Sequence, residues 1–263
     1  MRKVWLLVCK EWAEVFRNRL VLFTVVFLPM LLTALPLVIL SATRTDGESA
    51  MVSMADLPSG FAALCGQLDA GECAQYFLVS QFMLLFMIMP LVIPATIASY
   101  SIVGEKTTRT LEPLLATPIT TMELLAGKGL AAAIPAVLAT WAAFAVFALG
   151  AWLLAVTPAV LARLTDPLWL MAIFIVGPLL ALMAVSAAVM ISSRVNDPRV
   201  AEQLSALVIL PVMAIFFGQI AGLVYLNTQL IVWMAIGLVV VDLGLLAFAT
   251  QLFQRENILT RWK

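Results

Sequence analysis

Charged residues in this chain are gathered between long apolar stretches. Residues 20–43, 73–104, 129–162 and 167–193 contain no Asp, Glu, Lys or Arg, and 203–254 contains only Asp242. A helix that crosses a bilayer needs about 20 mostly apolar residues. The last stretch is long enough for two such helices, and it divides at Tyr225-Leu226-Asn227-Thr228-Gln229. The pattern therefore predicts six spans, at about 20–40, 77–103, 124–154, 168–192, 204–226 and 230–253. The expected fold is an all-α polytopic membrane protein forming a single transmembrane domain over 1–263.

Before the first span, residues 1–19 predict a helix lying in the membrane surface. Trp5, Val8, Cys9, Trp12, Val15 and Phe16 recur at helical spacing, and Lys3, Lys10, Glu14 and Arg17 fall opposite. The apolar run 4–9 is short for a cleavable leader and is stopped by Lys10-Glu11. Prolines interrupt five of the six spans, at Pro29, Pro36, Pro90, Pro94, Pro135, Pro178 and Pro211. Neighbouring helices can satisfy the freed carbonyls, so these read first as tolerated kinks. Gly218-x-x-x-Gly222 in span five reads as a small-residue face for close helix packing.

Composition agrees with the pattern. The chain is 63% hydrophobic and 11% charged, against about 25% charged in a soluble domain. The longest connections, 41–76 and 104–123, are too short for a separate domain of ordinary size. Net charge is zero, but thirteen of the fifteen Lys and Arg fall on one side of the predicted topology. That asymmetry places both termini and the 104–123 connection in the cytoplasm and makes 41–76 an outer loop. No basic face suits nucleic acid.

Much chemistry is excluded. There is no histidine, which removes histidine acid–base catalysis and the HExxH zinc motif. An aspartyl intramembrane protease needs two carboxylates, and Asp242 is alone within a span. Ala126-Gly127-Lys128-Gly129 is not a phosphate-binding loop, because Met122 and Gly129 stand where that motif needs Gly and Ser/Thr. The chain is expected to be neither an ATPase nor another enzyme, and to hold no cofactor or metal.

Residues 104–123 carry the most information. Thr110 can start a short helix with Pro113 in its first turn, placing Leu111, Leu114 and Leu115 on one side. Thr117-Pro118 breaks it, and Thr120-x-x-Glu123 is a capping box for the helix that follows. A short, partly apolar helix at an aqueous face suits docking into a groove on a soluble partner.

Glu105, Thr110-Leu111-Glu112, Leu114-Leu115, Thr117-Pro118-Ile119, Glu123-Leu124-Leu125 and Gly127-Lys128 resemble the cytoplasmic signature of ABC-2 type transporter permeases. Arg109 stands where many of those have glycine. Lys10-Glu11-x-x-Glu14, Arg194-x-x-Asp197-Pro198 and Phe253-x-Arg255-Glu256 are also similar, so the likeness runs the length of the chain. The resemblance implies the membrane subunit of an ATP-binding-cassette exporter, with ATP bound on a separate ATPase subunit. It implies a second permease subunit, the same or different, within plasma membrane lipid, the inner membrane of a prokaryote. It makes 104–123 the coupling-helix loop, with Glu105, Arg109, Thr110, Leu111, Glu112, Leu114, Leu115 and Pro118 toward the ATPase. It makes 1–19 the connecting helix.

Two further features stand apart. Asp242 lies near the middle of a span, where a charge costs at least about 2.5 kcal/mol, so it should face the bundle or a water path, near Gln219 of span five. It reads either as a contact for substrate or proton or as a hydrogen-bonded structural residue. Cys65 and Cys73 bracket turn residues in the outer loop, where an oxidising compartment would permit a disulfide. Two rival functions remain: an ion-coupled carrier using Asp242, and a membrane scaffold with no substrate path.

Overall fold

A computed structural model of the chain describes residues 2–45, 70–107, 119–154, 158–224 and 226–252. Within them the protein is helical, and six segments are long and apolar enough to cross a membrane. α1 is Arg2–Val15, and α2, Arg19–Thr45, holds the first span. α3, Ala70–Phe86, and α4, Met89–Thr107, together make the second. α5, Thr121–Leu153, is the third span, and α6, Pro158–Leu164, lies in the connection after it. α7, Pro167–Met171, runs through a π turn at Ala172–Val176 into α8, Gly177–Arg194, forming the fourth. α9, Pro198–Ser205, a 3₁₀ turn at Ala206–Ile209 and α10, Leu210–Ile220, form the fifth. α11, Thr228–Leu252, is the sixth.

Three of the prolines coincide with breaks. The second span breaks at Met87-Ile88, just before Pro90. The π turn leads into Gly177-Pro178, and the 3₁₀ turn ends just short of Pro211. Proline lacks the amide hydrogen and crowds the carbonyl four residues back, so the preceding turn must tighten, widen or open. Pro29, Pro36, Pro94 and Pro135 sit inside continuous helix.

α4, α5 and α8 pack on one another at the centre, around Phe86, Ile93, Ile97, Phe147 and Ala181. α11 packs along α8, and α9 packs on both α4 and α8. Among the described residues, α2, α10 and α11 carry wide exposed apolar faces, Phe23, Phe27, Phe217 and Trp233 among them.

Two expectations need correction. The fifth span is Pro198–Ile220, not 204–226, because α9 is already part of it. Gly218 and Gly222 are not a helix-packing face. Gly222 has φ 70° and follows the last helical turn. Its amide donates to the Gln219 carbonyl at 3.1 Å, and the Leu223 amide donates to the Gly218 carbonyl at 2.8 Å. This is a glycine-capped helix end. A Cβ on Gly218 would lie 3.1 Å from the Val224 side chain, so the small residue admits the returning chain.

Candidate functional site

A buried ion cluster joins three helices where α4 leads toward residues 108–118. Glu11 of α1, Glu105 of α4 and Lys128 of α5 are each 5% exposed or less. Lys128 Nζ lies 2.9 Å from Glu11 Oε1 and 2.7 Å from Glu105 Oε2. Lys10 Nζ lies 2.7 Å from Glu105 Oε1, and 3.7 Å and 3.5 Å from Glu11 and Glu14. Ser101 completes the group: it accepts from Lys128 at 2.8 Å and donates to Glu11 Oε2.

Local sequence explains the convergence. Ser101 and Glu105 are one helical turn apart on α4, so they share a face. Lys10 and Glu14 are likewise one turn apart on α1, and Glu11 points inward beside them. Gly127 lets α1 approach α5, since a Cβ there would sit 2.9 Å from Leu7 Cβ. Trp12 Nε1 donates to the Ala131 carbonyl at 2.9 Å and pins the crossing. The Thr120 capping box starts α5 and so sets the position of Lys128. Thr120 Oγ1 accepts from Glu123 N at 3.2 Å, and Thr120 N donates to Glu123 Oε2 at 2.9 Å.

Burial opposes ionisation of Glu11, but the Lys128 ammonium, the Ser101 hydroxyl and Lys10 outweigh it and hold the carboxyl below its ordinary value. Burial likewise opposes charge on Lys10, yet its hydrogen bond and charge pairing with Glu105 leave it raised. Glu11, Glu14 and Glu105 present oxygens within 4.8 Å of one another. Two ammonium groups, those of Lys10 and Lys128, already lie against these three carboxylates.

A depressed folded-state pKa means that Glu11 stabilises the fold above its unfolded value, near 4.5, and that this contribution is lost as pH falls through the lower folded value. The thermal-stability gap between the wild-type protein and Glu11→Gln is therefore expected to shrink on acidification below about pH 4.5. A gap that stays constant, followed by differential scanning fluorimetry, would contradict the pairing. Gly127→Val is expected to push α1 off α5 at a cost of about 1–3 kcal/mol, because the nearest atom is a Cβ that cannot swing away. Unfolding of the purified protein checks this, with Gly129→Val as the control, since Gly129 has ordinary spacing to Val185.

α4 carries a second polar face toward α9. Thr96 Oγ1 lies 2.9 Å from Glu202 Oε1, and the Ser99 and Ser205 hydroxyls are 3.4 Å apart. Displacement of α4 is thus felt by α1 and α5 on one side and by the start of the fifth span on the other.

Among the residues singled out for coupling, Glu105 falls in the cluster; Arg109, Thr110, Leu111, Glu112, Leu114, Leu115 and Pro118 lie outside the described residues. Asp242 and Gln219 are buried, at 5% and 3% exposure, but they are not hydrogen-bonded to each other. Asp242 sits on α11, which packs along α8 rather than α10. Cys65 also lies outside the described residues, and Cys73 is buried near the start of α3. On α1 the buried stripe is Leu7, Val8, Glu11 and Val15, and Cys9 and Trp5 are exposed. Assigning Glu11 to punctuation and Cys9 to the apolar face missed this. The available signal was a carboxylate at helical spacing from Val8 and Val15, with one lysine at the edge of span three to meet it.

A family model described as ABC-2 family transporter protein matches residues 5–234. No curated protein matches the chain. The match spans the ion cluster, all of the first five spans and the start of the sixth.

Proposed function

The chain belongs to the ABC-2 transporter family and is the membrane permease component of a transporter; from that premise we propose that it serves an ATP-driven exporter, moved by a separate ATPase that docks on residues 104–123. The observation that supports this reading best is the cluster of Glu11, Glu105, Lys128 and Lys10. It lies within three residues of the start of 108–118 and ties that end of α4 to α1 and α5. A push on the 104–123 connection would be delivered to three helices together, because separating them leaves buried charges unpaired. Packed interfaces of this kind switch as rigid bodies rather than bending continuously.

The same reading places both termini and the docking region in the cytoplasm, following the concentration of Lys and Arg on that side. The exposed apolar faces of α2, α10 and α11 suit lipid and a second permease subunit. Inverted vesicles holding this chain and its ATPase are expected to accumulate amphipathic cargo only when ATP is supplied, with neither chain sufficient alone. Accumulation driven by an ion gradient without the ATPase would favour the ion-coupled carrier and overturn the proposal.

A further inference from the structure

The corner between α1 and α2 gathers positive charge where the chain enters the membrane. Residues 16–18 turn tightly: the Asn18 amide donates to the Val15 carbonyl at 3.0 Å, and the Leu22 amide donates to the Asn18 carbonyl at 3.0 Å. Arg17 and Arg19 stand on either side of that asparagine, and both are exposed. The first span begins at Val21, so both side chains reach headgroup depth. Among the described residues neither arginine has an ion pair, and the first turn of α2 holds no acidic residue.

Each arginine ends an exposed apolar track. On α2, Arg19, Phe23, Phe27 and Leu31 recur every four residues, on one side of the helix. The three apolar members are 58%, 45% and 43% exposed, and the two phenyl rings stack with centroids 4.6 Å apart. On α1, Trp5, Cys9, Ala13 and Arg17 follow the same spacing, and all are exposed. A positive head on an apolar track is complementary to a lipid with a negative headgroup and acyl chains.

A second copy of this chain is poorly suited to supply the missing charge. Among the described residues, the carboxylates at this end of the bundle are engaged. Glu11 and Glu105 hold Lys128, Glu14 pairs with Lys10, Glu123 and Asp197 cap helices, and Glu202 accepts from Thr96. A two-fold contact of this face with itself would set like arginines against each other.

We propose that the α1–α2 corner is a binding site for an anionic phospholipid, its phosphate on Arg17 and Arg19 and an acyl chain along Phe23, Phe27 and Leu31. The proposal requires that the chain spans a membrane and does not require an ATPase. Guanidinium forks match phosphate geometry, and a zwitterionic headgroup carries its own cation, which these arginines repel. A bound lipid also steadies α1, which carries Lys10 and Glu11 into the ion cluster.

The test uses the full chain alone, in nanodiscs of phosphatidylcholine with a minor share of phosphatidylglycerol. After release into neutral detergent, native mass spectrometry should find phosphatidylglycerol retained on the wild-type protein well beyond its share of the bilayer. Arg17→Gln with Arg19→Gln should weaken binding of that lipid by about tenfold or more, and Arg17→Lys with Arg19→Lys should retain most of it. On the wild-type protein, phosphatidylglycerol with a photoactivatable acyl chain should label residues 17–31, which covers the case of a variant that misfolds. Dissolved glycerol 3-phosphate should leave both retention and labelling unchanged. Retention in proportion to the bilayer, an unaltered double Gln variant, labelling elsewhere, or displacement by glycerol 3-phosphate would each overturn the site. Cross-linking of 17–31 to a second copy in place of lipid would overturn it as well.

Discussion

Lys128→Met should abolish ATP-driven transport and destabilise the permease by about 3 kcal/mol, the lower end of the cost of breaking a buried pair. The low end applies because Lys10 remains 2.7 Å from Glu105 and 3.7 Å from Glu11. What the substitution strands is Glu11, 1% exposed and left with Ser101 and a distant ammonium. Removing that charge as well should recover part of the loss, so Glu11→Gln with Lys128→Met should be more stable than Lys128→Met alone. A double-mutant cycle isolates the pair energy. If the two substitutions add without coupling, the cluster does not hold α1 to α5. Transport should fail even where the double variant folds, because neutral side chains no longer link α4 to its two neighbours.

The second large effect concerns docking. Leu114→Asp or Leu115→Asp is expected to abolish co-purification with the ATPase while the permease still inserts at wild-type levels. Both leucines fall on the apolar side of the short helix that the sequence predicts after Thr110. A carboxylate in the centre of an apolar groove costs several kcal/mol when nothing pairs with it, enough to remove a modest affinity. Glu112→Gln, which keeps the side chain's size and adds no charge to the apolar groove, should weaken the complex far less. Unchanged ATPase stimulation in either Asp variant would contradict the assignment.

These two predictions rest on different kinds of legibility. The spans were readable from runs free of charge, because hydrocarbon forbids unpaired charge whatever the fold. The end of span five was misread because the apolar run continues through Ala221-Gly222-Leu223-Val224, and hydropathy does not register that Gly222 adopts a left-handed turn. The ion cluster was only half visible. Lys10, Glu11, Glu105 and Lys128 could each be quoted as fragments of a family pattern, but their meeting depends on Gly127 admitting α1 to α5, a tertiary event separated by more than a hundred residues. Asp242 was legible as anomalous, since charge is rare in a span. Its neighbours were not, because the helix it packs on is α8, two spans earlier in the chain.

The most direct test of the central claim is the sidedness and cover of position 114. A Leu114→Cys variant is treated with a membrane-impermeant maleimide in intact cells and in inverted vesicles, and labelling is read on the peptide containing that position. Modification is expected only in inverted vesicles, with protection when the ATPase is present. Modification in intact cells would place the docking region on the wrong side of the membrane and contradict the account outright.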